Sequence, residues 1–128
     1  METKEIKKKL TIGDLIANAD KIKGLKNETK ELYIKSLDAT ITIMKPSRPT
    51  ILDSNCLSKE DANLFLVYEC VTEPNLKDAA LQAAYGVTGY EIAVEIMDPG
   101  EMDNVAKEMI KFSGYDAGSV SVVEDIKN

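Results

Sequence analysis

The 128-residue sequence contains no histidine and no tryptophan. Without an imidazole there is no Ser-His-Asp or Cys-His nucleophile system, no His-ligated metal site and no histidine pH switch. Its two cysteines, Cys56 and Cys70, stand apart with no CxxC spacing. Two thiols alone neither complete a tetrahedral zinc site nor build a disulfide framework, and both fall in apolar-periodic segments, so buried free thiols are expected. Five Tyr and two Phe are all the aromatics, which makes the expected core aliphatic. No hydrophobic stretch of signal length opens the chain, and no run approaches the roughly 18–20 apolar residues of a membrane span. These absences lead to the expectation of a soluble protein of a reducing cytoplasm with no membrane partner. Repeats, linkers and low-complexity segments are also missing. One domain over residues 1–128 is expected, large enough to bury about two-thirds of its extended surface without a disulfide or metal.

What is present begins with an uneven charge. The formal net charge is −6, yet residues 1–35 hold nine lysines against six acids and the remainder seven bases against sixteen acids. Lys4, Lys7, Lys8 and Lys9 form the one basic cluster, diluted by Glu2 and Glu5. A nucleic-acid binder needs a concentrated basic face, so residues 1–9 read as a solvated, flexible arm. A small nucleic-acid-associated regulator using that lysine arm is the alternative function.

Capping signals divide the chain. Thr11-Ile12-Gly13-Asp14 is a capping box with Leu10 and Leu15 at the staple positions, opening a helix over about 12–23 with Leu15, Ile16, Ala19 and Ile22 on one face and Gly24 as its stop. The period then shortens to two. Lys30–Lys35 and Thr40–Met44 alternate, with Leu32, Ile34, Ile41 and Ile43 inward, and the short Ser/Asp-containing link between them makes a β-hairpin ended by Pro46 and Pro49. An isolated hairpin is marginal in water, so this face must pack on helices. Ser47 starts a short helix through about Asn55 with Ile51 and Leu52 inward. Ser58-Lys59-Glu60-Asp61 caps a helix through Val71, buried on more than one side and ended by Glu73-Pro74. Asn75 caps a helix through Leu76, Ala79, Ala80, Ala83 and Ala84, whose small residues would let a neighbour approach closely, closed by Gly86. Thr88-Gly89-Tyr90-Glu91 is a further capping box, with Val87 and Ile92 as its staple. Asp98-Pro99-Gly100-Glu101 opens a helix whose Met102, Val105, Ala106, Met109 and Ile110 follow the i, i+3, i+4, i+7, i+8 spacing to a stop at Gly114. The state of the tail, 116–128, is left open by a β-like start at Val120 and Val122. The expected fold class is α+β and mostly α-helical, with one N-terminal β-hairpin packed on a bundle of about five to six helices.

No pattern carries a reaction. Asp14, Glu60, Asp61, Glu91 and Glu101 sit in helix first turns, where the macrodipole accounts for them. Gly86-Val87-Thr88-Gly89 lacks the lysine and the spacing of a phosphate loop, and no calcium loop occurs. Met97, Met102 and Met109 read as core residues rather than a Met-lined docking surface. The expectation is a protein that is not an enzyme, with no catalytic, cofactor or metal residues.

Two long segments carry a resemblance. Glu31-Leu32-Tyr33-Ile34-Lys35-Ser36-Leu37-Asp38-Ala39-Thr40 leads to Lys45-Pro46-Ser47-Arg48; Val67-Tyr68-Glu69-Cys70-Val71 leads to Glu73-Pro74-Asn75-Leu76-Lys77-Asp78, then Leu81-Gln82, Ala84-Tyr85-Gly86, Glu91-Ile92-Ala93, Pro99-Gly100-Glu101 and Gly114-Tyr115. Together, over roughly residues 10–127, they resemble the XkdN-like tail assembly chaperones of contractile-tailed phages and prophages of Gram-positive bacteria. The resemblance implies a non-enzymatic assembly factor of the host cytoplasm whose partners are the tape measure protein and the tail tube protein, with a homo-oligomer as a further expectation. Two contact surfaces are candidates: the hairpin, through Leu32, Ile34, Ile41 and Ile43, by strand addition at an open edge, and the helix surfaces around Tyr68, Tyr85 and Tyr90.

Overall fold

A computed structural model describes residues 9–123. Among them are seven α-helices and a three-stranded antiparallel sheet: α1 Ile12–Ala17, α2 Ala19–Gly24, β1 Thr29–Ile34, β2 Ala39–Met44, α3 Arg48–Asn55, α4 Lys59–Cys70, β3 Val71–Glu73, α5 Ala79–Tyr85, α6 Ile92–Ile96 and α7 Pro99–Ile110. The mostly helical α+β class is as expected. The basic cluster at Lys4, Lys7 and Lys8 and the chain beyond residue 123 lie outside the described residues. Val120, Val122 and Val123 are exposed, and Val120 and Val122 join no strand.

The hairpin forms as its alternation requires. Leu32 pairs with Ile41 and Tyr33 with Thr40, around a turn in which Asp38 takes the left-handed conformation (φ 49°) and accepts a 2.7 Å hydrogen bond from the Tyr33 hydroxyl. The sheet, however, has a third strand. Helix α4 stops at Cys70 rather than Val71, and Val71–Glu73 continues directly as β3 against Thr42 and Ile43. Two β-branched residues followed by Glu73 before Pro74 favour extended backbone, so the end of the expected helix becomes an edge of the sheet. The strand order is β1-β2-β3, with β2 central.

Helix α4 is the hub, packing on α3, α6 and α7. Ser58 accepts from the Asp61 N–H at 3.2 Å, and Leu64, Leu66, Val67 and Cys70 are buried, which is burial on more than one side. Helix α7 buries Met102, Val105, Ala106 and Met109. These join Ile34, Ile41, Ile43, Val71, Leu76, Ile92, Ala93 and Met97 in one cluster between the inner sheet face and the helices. Each large side chain buried this way contributes about 1.5–3 kcal/mol.

Several local expectations shift. The first helix breaks at Asn18, whose side-chain amide and own N–H both donate to the Asp14 carbonyl at 3.0 Å, the competition with helix geometry that asparagine offers. Leu52 is half exposed, because α3 has α4 on one side and adjacent helix positions point about 100° apart. Cys56, one turn beyond Leu52 on the same exposed face, is exposed, unlike Cys70. Asn75 instead closes a turn onto the Lys77 N–H, and Asp78 caps α5 through the Leu81 N–H at 2.9 Å. Helix α5 buries none of its residues, so its alanines do not form a tight seam. Thr88 precedes only a 3-10 turn, Gly89–Glu91, and makes no side-chain cap; Gly89, at φ 72°, takes the left-handed conformation in place of the α-helical one a capping box requires.

Candidate partner-binding surface

Strand β1 has a neighbour on one side only among the described residues. The Lys45 N–H donates to the Glu28 carbonyl at 3.4 Å, which marks that pair as hydrogen-bonded. With Thr29 opposite Met44 and Glu31 opposite Thr42, antiparallel alternation makes Thr29, Glu31 and Tyr33 the residues whose N–H and C=O point away from β2. The open edge is therefore a row of three unpaired residues, with Lys30 and Glu31 as the charges that natural edges carry against indiscriminate pairing.

Beside this edge runs a groove of about 370 Å³ between β1 and α7, with Leu32, Ile34 and Val105 among its apolar lining and Lys35, Asn104 and Glu108 among its polar lining. Its two walls are tied at both ends. At one end Glu101 accepts from the Ser36 N–H at 2.9 Å and from the Ser36 hydroxyl at 2.5 Å, while also accepting the Asp98 N–H at 3.3 Å in the capping box. The Ser36 hydroxyl and N–H together hold the Glu101 carboxyl below its ordinary pKa. At the other end Lys30 and Lys45 lie over the Phe112 ring, at 4.8 and 5.4 Å from its centroid, and the Ser113 hydroxyl donates to the Pro46 carbonyl. The groove is thus preformed.

The candidate residues divide between core and surface. Ile34, Ile41 and Ile43 are buried, and Leu32 is half-buried against them. What the hairpin presents outward is the β1 edge, Leu32 and the exposed Tyr33. Tyr68 and Tyr90 are half-buried, each in its own contact. The Gln82 side-chain amide donates to the Tyr68 hydroxyl (3.2 Å) and the Leu76 carbonyl (2.9 Å), and Gln82 Oε1 accepts the Gly89 N–H (3.3 Å). Tyr90 meets Phe65 edge-on at 6.4 Å, and burial pushes its phenol pKa up, with Asp61 and Glu91 adding to the shift. Tyr85 is exposed at the end of α5. Sequence reasoning missed Gln82 and the Ser36–Glu101 link, which joins residues 65 positions apart and leaves no local signal.

Among the described residues, no three His, Cys, Asp or Glu side chains gather as a metal site, and no helix is long and apolar enough to cross a membrane. Burial pushes the Cys70 thiol up to about 11, away from nucleophilic chemistry. Residues 2–127 match the family of phage XkdN-like tail assembly chaperone proteins. No curated protein and no solved structure matches the chain.

Proposed function

The chain belongs to the phage XkdN-like tail assembly chaperone family, and on that footing we propose that it is a non-enzymatic factor that binds the tape measure protein in the host cytoplasm and helps recruit tail tube subunits. The observation that supports a mode of binding is the open β1 edge beside a preformed apolar groove. An extended client segment adds as a fourth strand, hydrogen-bonding to Thr29, Glu31 and Tyr33 and placing alternate side chains over the groove. Strand addition reads backbone more than sequence, which suits a long client held at many points. Modest affinity at each point gives avidity along the whole and still permits displacement.

Co-expression with the tape measure protein tests the role. Glu31→Pro tests the mode, because it removes an outward N–H and leaves the β1–β2 ladder intact. The wild type is expected to co-purify with the client and to gain hydrogen-exchange protection at the Thr29, Glu31 and Tyr33 amides, whereas Glu31→Pro loses the client while melting as before. Binding without protection of those three amides removes the edge from the account. Failure of the wild type to bind the tape measure protein removes the role itself.

A further inference from the structure

We infer that residues 124–128 of the chain fold back as a strap over the groove between α4 and α7. The first observation is where the chain leaves the body. Gly114, in the left-handed conformation (φ 92°), ends the helical path beyond α7. The residues after it cross the mouth of a groove of about 760 Å³, so that Tyr115, Asp116 and Ala117 themselves belong to its lining. The Ser119 hydroxyl then donates to the Gly114 carbonyl at 2.6 Å and to the Asp116 carbonyl at 3.2 Å, which holds the start of the tail beside the end of α7.

The second observation is what the groove offers and what the tail carries. Ala106, buried, and Ile110, half-buried, are apolar parts of the lining. Its charges are Lys59, Lys107 and Lys111 against Asp103 and Asp116. Two of them are engaged: Lys111 pairs with Glu108 at 3.7 Å, and Asp103 accepts from the Asn63 side-chain amide at 3.1 Å. Lys59 on α4 and Lys107 on α7 have no ion pair among the described residues, so two lysines, one on each wall, face the single acid Asp116. The tail brings the complement. Val122, Val123 and Ile126 share one side at i, i+3, i+4 spacing, with Glu124 and Asp125 between them. Val122 and Val123 are more than half exposed, so no described residue covers that side. From Ser119 to Ile126 the chain spans about 10 Å if helical and about 24 Å if extended, against about 18 Å for the whole of α7, so it can lie along the groove. A tether this short supplies an effective concentration on the order of millimolar, a handicap any other occupant must overcome. Glu124 and Asp125 therefore meet Lys59 and Lys107, Ile126 covers Ala106 and Ile110, and the α4–α7 seam is closed to other partners while the strap is in place.

A nitroxide at Asn128→Cys, in a Cys56→Ser background that removes the exposed thiol, tests this by paramagnetic broadening of amide resonances. It uses the full chain without any client, so its outcome is separable from that of strand addition at β1. Broadening is expected at the amides of Lys59, Asn63 and Lys107. Reversing the tail acids with Glu124→Lys/Asp125→Lys is expected to weaken docking about two- to fivefold, and Ile126→Asp about tenfold, both read as lost broadening. Adding Lys59→Glu/Lys107→Glu to the reversed tail restores it, because the charges are exchanged and both groove positions are exposed. Broadening that survives both the reversal and Ile126→Asp reports only the tether and overturns the inference. So does broadening at Thr29, Glu31 and Tyr33 in its place, which puts the tail on the sheet edge. Broadening passed to isotope-labelled molecules from separate spin-labelled ones puts the tail on another copy and overturns it as well.

Discussion

Helix α7 and the α1–α2 arm carry nearly the same pattern and meet opposite fates. Met102, Val105, Ala106 and Met109 repeat with helical spacing behind a capping box, and all are buried. Ile12, Leu15, Ile16, Ala19 and Ile22 repeat the same way behind another capping box, in which Asp14 N–H donates to Thr11 Oγ1 at 3.1 Å and Thr11 N–H to Asp14 Oδ2 at 3.3 Å, and none is buried. The difference is tertiary. Helix α7 is held by Ser36 at its start and by Pro46 and the two lysines over Phe112 beyond its end. Among the described residues, the arm packs chiefly on itself, α1 on α2 and α2 on the turn Leu25–Asn27. An apolar stripe dictates that a helix forms and which face is greasy, but not whether this molecule or another one covers that face.

The widest separation between the two regions should come from truncating matched apolar positions. Met109→Ala is expected to lower the stability of the isolated protein by about 2–5 kcal/mol in urea unfolding, and Ile16→Ala to change it by less than about 0.5 kcal/mol. Equal losses would mean that the arm packs on its own body. Matched caps give a smaller contrast. Ser58→Ala should cost about 1 kcal/mol of global stability, whereas Thr11→Ala should reduce far-UV helicity and leave the unfolding midpoint in place. The smallest effect is a pH dependence confined to the body. Because the Glu101 carboxyl is held below its ordinary value of 4.5, its contribution is present above that pH and is lost as the pH falls through the depressed folded value. The melting-temperature gap between wild type and Ser36→Ala should therefore be widest near neutrality and close under acid. A gap that is constant with pH would detach Ser36 from the Glu101 charge.

Much of the fold was legible because its signals are local. Ser47, Ser58 and Asp98 each stand as the N-cap where the sequence puts one, and the period change at Lys30 marks the hairpin. What escaped was set by partners far along the chain. Val71 reads as the end of a helix until Ile43 is placed beside it, and Cys56 reads as core until the exposed side of α3 is known. The candidate surface was legible in part. The alternation of Leu32 and Ile34 locates the strand, but its open edge depends on β2 lying in the middle of the sheet, and the groove on Glu101 reaching Ser36.

The junction between arm and sheet has a mechanical consequence. Glu28 is the one residue between the turn at Leu25–Asn27 and strand β1, and it is clamped to Lys45 twice, by the backbone bond and by a 3.2 Å ion pair. The break in the helical path lies upstream of this clamp, at Asn18. The foot of the arm is thus fastened by the same Glu28–Lys45 pair that closes the open end of the hairpin, so loosening that pair would free both at once.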